Sequence, residues 1–138
     1  IALDEKNQSS DKNLEIITPT TQIELFVARK EAAKIHISDK LKSYIATLIV
    51  TTRNASKYDA DLSKWIMYGA SPRATLALIR CSKALAWIRG DEYVTPHHIQ
   101  SLCPYILAHR LILSFEAEAS GISRLNVINR LLEVVAVP

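Results

Sequence analysis

The chain has 138 residues, 49% hydrophobic and 22% charged, a balance that suits one folded domain with a real core. Its 17 basic and 14 acidic side chains leave a net charge of +3, too mild to announce a dedicated nucleic-acid binder with a dense basic stripe. No apolar run is long enough to span a bilayer, no secretory-signal pattern opens the chain, and a first residue of Ile rather than Met predicts a piece of something longer.

Residues 1–20, IALDEKNQSSDKNLEIITPT, carry four acids against two lysines and read as a linker or tail, with Leu14–Ile17 as a short extended run. From Thr20 or Thr21, either of which can cap a helix, apolar residues recur at Ile23, Phe26, Val27, Ala32 and Ala33. That helix is expected to end near Lys34. Residues 35–37 read as an extended link. Ser38 then caps a second helix with Asp39 in its first turn, where the helix dipole favours an acid. Leu41, Ile45, Leu48 and Thr52 form its inner stripe, widened by Tyr44 and Ile49. Residues 54–68 read as a loop with at most one helical turn, pinned to the core by Trp65 and Met67.

The stretch GASPRATLALIRCSKALAWIRG, Gly69–Gly90, reads as a helix bracketed by glycines. Ser71 is its expected cap, with Pro72 in the first helical position, where a missing N–H costs nothing. Ala74, Ala77, Leu78, Cys81, Ala84, Leu85 and Ile88 form its expected apolar stripe, and Gly90 its stop. Thr95-Pro96 repeats the cap-then-proline device before a helix with Ile99, Leu102, Cys103 and Ile106 inward. Residues 109–120 read as a partly extended connector. A last helix, capped at Ser123, turns Val127, Ile128, Leu131, Leu132 and Val135 inward and ends by Pro138. The sum is all-α: a small bundle of about five helices with almost no strand.

Most catalytic chemistry is excluded. The only glycines, Gly69, Gly90 and Gly121, are too far apart for a GxxxxGK[ST] or GxGxxG loop, so this chain cannot cradle a nucleotide phosphate that way. His97 and His98 are adjacent and point apart on a helix; His36 and His109 are distant, and no metal site is expected. The first-turn histidines read as solvated. Cys81 and Cys103 stand alone and read as buried thiols. Asp59 and Asp61 have nothing to mark them as an acid–base pair.

Arg73 is set apart by its position. A helix N-terminus already carries about half a positive charge, so an arginine there gains no local stability and becomes useful if an anion arrives. The pattern leaves both a solvated surface arginine and an anion contact open. Arg80 and Lys83 read as a solvated basic face.

The run from Gly69 through Tyr93-Val94-Thr95-Pro96 to His109-Arg110 resembles the C-terminal lid of MoxR-family AAA+ ATPases. The upstream helix ending in Thr52-Arg53 and the downstream GISRLNVINRLLEVVAVP fit the same family, from about residue 20 to the end. The resemblance implies domain bounds of 1–20 for the linker from the preceding ATPase core and 21–138 for the lid. It implies that Arg73, set by Pro72, is a sensor arginine reaching the γ-phosphate of ATP held on that core. Mg²⁺ and the Walker segments belong to the core, so this fragment alone would hold neither cofactor nor activity. The implied parent is a cytoplasmic, chaperone-like ATP hydrolase. It would form a homo-oligomeric ring, often a hexamer, with von Willebrand factor A-domain partners and a link to metalloenzyme assembly; no membrane or nucleic acid is expected. Where the family carries acids after the Thr-Pro cap, this chain has His97-His98, a neutral departure. The rival class is an independent helical module binding nucleic acid or a protein through Arg73, Arg80 and Lys83.

Overall fold

A computed structural model describes residues 19–138. The linker expected over 1–20 and the extended run at 14–17 therefore lie largely outside the described residues. Five longer helices carry the architecture: α1 (Gln22–Lys34), α2 (Asp39–Arg53), α4 (Arg73–Arg89), α5 (Pro96–Leu107) and α7 (Arg124–Val134). Two short ones, α3 (Ala60–Trp65) and α6 (Phe115–Ala119), fill stretches that read as loop and connector. The all-α expectation holds. The one sheet among the described residues is a two-stranded antiparallel ribbon, β1 (Ile66–Tyr68) with β2 (Ile112–Leu113), pairing Ile66 with Leu113.

The helix starts follow local chemistry. Thr21 and Glu24 close a reciprocal capping box on α1, and the Ser38 hydroxyl accepts from the Leu41 amide on α2. The Asp59 carboxylate opens α3 by accepting from the amides of Asp61 and Leu62. Ser123 and Asn126 box the start of α7. Gly90 ends α4 at φ +77°, a left-handed conformation that glycine adopts without a Cβ clash.

The core forms mainly where α2, α4, α5 and α7 meet. Leu41, Tyr44, Ile45, Leu48, Ile49 and Thr52 of α2 are all buried, as their spacing predicts. Val127, Ile128 and Leu131 of α7 meet them from the C-terminal side. On α4 the buried row is Ala74, Leu78, Ser82 and Ala86. Three of these four side chains are small, which lets α4 lie close against α5. The expected stripe is thus rotated: Cys81 is exposed and Ile88 is 72% exposed, because the row of least bulk wins the closest helix contact. Cys103 is buried as expected, and burial pushes its thiol pKa up to about 12, leaving it inert.

Three further expectations fail. No residue of α1 is buried; the helix lies against α4 with Ile23, Leu25, Phe26 and Val27 exposed. Met67 is exposed and Trp65 only half-buried; the residue that anchors this segment is Leu62. His98 is buried rather than solvated. Its Nδ1 accepts from the Thr95 amide at 3.0 Å, and its Nε2 lies 3.0 Å from Asp91 Oδ2. With Nδ1 accepting, Nε2 is the ring nitrogen placed to donate to Asp91. His98 thereby does the work of the glutamate in a capping box.

Candidate functional site

The segment Gly69–Arg73 is fastened to the end of α2 before it enters α4. A Cβ on Gly69 would stand 2.3 Å from the Thr52 carbonyl oxygen and 2.7 Å from the Arg53 amide nitrogen, so only glycine allows this approach. One residue on, the buried Ala70 amide donates to Thr52 Oγ1 at 3.0 Å. Thr52 Oγ1 in turn donates to the Ile49 carbonyl at 2.7 Å, which orients the hydroxyl. Ala70 and Ala74 are fully buried on either side of the exposed Ser71, Pro72 and Arg73. The loop is therefore held by backbone contact, a buried hydrogen bond and two alanine plugs.

Arg73 begins the regular part of α4, with Pro72 already at helical angles (φ −55°, ψ −23°). Ser71 does not cap the helix as expected; α4 opens with no side-chain cap. The Ala74 amide donates to the Ser71 carbonyl and the Thr75 amide to the Pro72 carbonyl, both within the first turn. Two of the donors a bare N-terminus would offer are thus engaged, and Pro72 has none to offer. The Arg73 guanidinium adds a permanently charged donor at this end. Arg73 is exposed, and among the described residues it pairs with no carboxylate. Arg53 is exposed at the end of α2. It lines a small polar recess of about 210 Å³ with Thr52, Asn54, Ser63 and Gly69.

The three basic residues of the rival reading are not gathered together. Arg80 and Lys83 line a groove between α1 and α4 with Arg29, and Arg73 is not part of its lining. Lys83 is already engaged, its Nζ donating to the Ala33 carbonyl at 2.9 Å and closing the C-terminal turn of α1. Asp59 and Asp61 are not an acid–base pair. Asp59 caps α3 and accepts from Arg130 Nη2 at 2.6 Å, and that bond holds its carboxyl below the usual carboxylate range. Among the described residues no group of three His, Cys, Asp or Glu side chains could hold a metal ion. No described helix is long and apolar enough to cross a membrane.

The contribution of Thr52 and Gly69 was accessible in part from sequence. Thr52 is a polar residue on an apolar stripe, and Gly69 is one of three glycines in the chain. Their contact joins positions 17 apart, and neither residue's local pattern reveals it.

The fold is a small helical bundle whose longest helix opens on an exposed arginine with no carboxylate partner among the described residues. The family model described as the AAA lid domain matches residues 61–131, and the chain belongs to that family. It is 38% identical over 108 residues to "Chaperone MoxR1" of Mycobacterium tuberculosis, covering 78% of this chain and 29% of that protein. It is 33% identical over 84 residues to "Protein MoxR" of Paracoccus denitrificans, covering 57% of this chain and 25% of that one. A solved structure of a "putative ATPase" from Cytophaga hutchinsonii superposes with a TM-score of 0.81 at 38% identity, over 84% of this chain and 36% of that one. The chain is thus a lid of the MoxR type of AAA+ ATPase, and it spans about a third or less of the length of these relatives.

Proposed function

We propose that this lid closes over ATP carried by an ATPase core and supplies Arg73 to the γ-phosphate. The observation that supports this is the unpaired, exposed guanidinium at the end of a loop fastened through Gly69, Ala70 and Thr52. An arginine suits the task because it stays charged and its planar fork matches phosphate oxygens. Pro72 sets the angle at which the helix leaves the loop. The bound nucleotide and Mg²⁺ would supply the transferred phosphoryl group and its charge neutralisation on the core. What this chain does is hold a positive charge at a fixed place on a rigid body. Loss of the γ-phosphate removes the contact, so the lid angle differs between the triphosphate and diphosphate states.

The MoxR resemblance carries the rest of the reading: a cytoplasmic, homo-oligomeric ring with ATP hydrolase activity. It also carries chaperone-like action and von Willebrand factor A-domain partners. One arginine contact cannot immobilise a free nucleotide, so the isolated chain binds ATP weakly and does not hydrolyse it.

The test is Arg73→Ala and Arg73→Lys in the ATPase that contains this lid. Turnover at saturating ATP is expected to fall roughly 10- to 100-fold for alanine and less for lysine. Thermal stability should stay within about 0.5 kcal/mol, because the side chain is exposed. Unchanged turnover in the alanine variant would overturn the assignment.

A further inference from the structure

The groove between α1 and α4, about 530 Å³, is lined by Arg29, Arg80 and Lys83 over a floor of Ala32, Ala33 and Ala84. Three cations line one concavity, and among the described residues no carboxylate lines it. Like charges gathered this closely repel one another, and an incoming anion relieves that repulsion. Among the described residues none of the three pairs with an acid; Glu31 of α1 instead accepts from Trp87 Nε1 at 3.2 Å. The alanine floor admits bulk, and the half-exposed ring of Phe26 lies 6.0 Å from the Arg29 guanidinium carbon.

The same chain carries a surface of opposite character. Helix α6 presents Glu116 and Glu118 to solvent beside Phe115, which is 82% exposed, and Ile112, which is 55% exposed. Ala117, 1% exposed, is the foot that fixes this helix to the core, where it packs on α3. Among the described residues neither glutamate has an ion-pair partner. An aromatic ring flanked by two acids is opposite in charge to three cations over a small-residue floor.

We propose that the α1–α4 groove receives α6 of a second copy of this chain. Phe115 enters over the alanines, and Glu116 and Glu118 meet Arg29, Arg80 and Lys83. The two patches are unlike, so the contact is head-to-tail, the kind that closes into a ring when its rotation permits. Solvent-exposed ion pairs are individually weak, and Phe115 is the anchor. A single contact is therefore weak, and repetition around a closed assembly strengthens it through effective concentration.

Sedimentation equilibrium of the chain over a range of concentration and salt tests the proposal. Self-association is expected at low salt and should weaken as salt screens the charges. The double variants Arg29→Glu/Arg80→Glu and Glu116→Lys/Glu118→Lys should each reduce association roughly tenfold or more. Mixing the two variants should restore it, because an acidic groove then meets a basic helix. Phe115→Ser should weaken association with every charge intact. All five residues are exposed, and circular dichroism confirms that the variants fold. A chain that stays monomeric at low salt and high concentration overturns the proposal. So does association that ignores both charge reversals or is not restored by mixing. A labelled single-stranded oligonucleotide gives the remaining arm: binding lost on Arg29→Glu/Arg80→Glu, without self-association of the parent chain, assigns the groove to nucleic acid instead.

Discussion

Helices α1 and α2 are neighbours in sequence, similar in length and both opened by side-chain caps, yet only one of them belongs to the core. Seven residues of α2 are buried and none of α1. Helix α2 touches α4, α7 and β1, whereas α1 leans on α4 through the Lys83–Ala33 and Trp87–Glu31 hydrogen bonds. The difference teaches that good caps make a helix start well and say little about where it goes. It also places the candidate loop, because Thr52 at the end of α2 is what Gly69–Arg73 is fastened to. The site is built on the rigid side of the molecule. The groove proposed for a second copy lies on the peripheral side.

The contrast can be broken by mutation. The largest effect is expected for Leu48→Ala, which opens a cavity at a fully buried position of α2. Urea denaturation should register a loss of about 3–4 kcal/mol, with α1 carried along in one cooperative transition. Phe26→Ala on α1 should cost under about 1 kcal/mol in the same experiment. Equal losses would mean that the two helices contribute equally to the core, contrary to their burial.

Next comes Gly69→Ala, whose Cβ cannot fit against the Thr52 carbonyl without moving the backbone. We expect about 2–3 kcal/mol of destabilisation, taking it as a backbone-strain substitution. In the lid-containing ATPase we also expect a fall in turnover, although Gly69 makes no phosphate contact in our reading. Stability lost with turnover retained would show that the loop need not be fastened.

A smaller loss, about 1–2 kcal/mol at neutral pH, is expected for Asp59→Ala, which removes the α3 cap and the Arg130 tie to α7. The sign with pH follows from the lowered carboxyl pKa of Asp59 in the folded state. Its contribution is fully present above its unfolded pKa, about 4, and is lost as pH falls through the lower folded value. Denaturation curves of wild type and variant should therefore converge below about pH 4. A constant gap down to acid pH would remove Asp59 from the network.

Much of the scaffold was legible in the residues. The caps at Ser38 and Ser123 and the stop at Gly90 were legible, Thr21 was one of the two residues offered for α1, and Ser71 failed as a cap; a cap that forms is a bond between residues two to four apart. The inner stripe of α2 was read residue by residue, since a helix buried on one wide face displays its own period. The stripe of α4 was not, because several of its faces carry small or apolar residues and the sequence cannot rank them. His98 was misread because its partners, the Thr95 amide and Asp91, matter only once the turn has closed around it. At the candidate site, Arg73 and Pro72 were singled out from their place at a helix start, while the fastening of their loop was not.

The sequence by itself determined roughly where the five longer helices lie, that the domain is helical, and that no glycine-rich phosphate loop can form within it. These are properties of near neighbours and of composition, and no other part of the chain can revoke them. Only the tertiary structure decided which apolar faces are covered, leaving α1 outside and turning α4 onto its row of small residues. It alone brought Gly69 against Thr52, so that an arginine without a carboxylate partner among the described residues stands on a rigid support. Both outcomes depend on how surfaces distant in the chain compete for the same contact, a competition that no local pattern records.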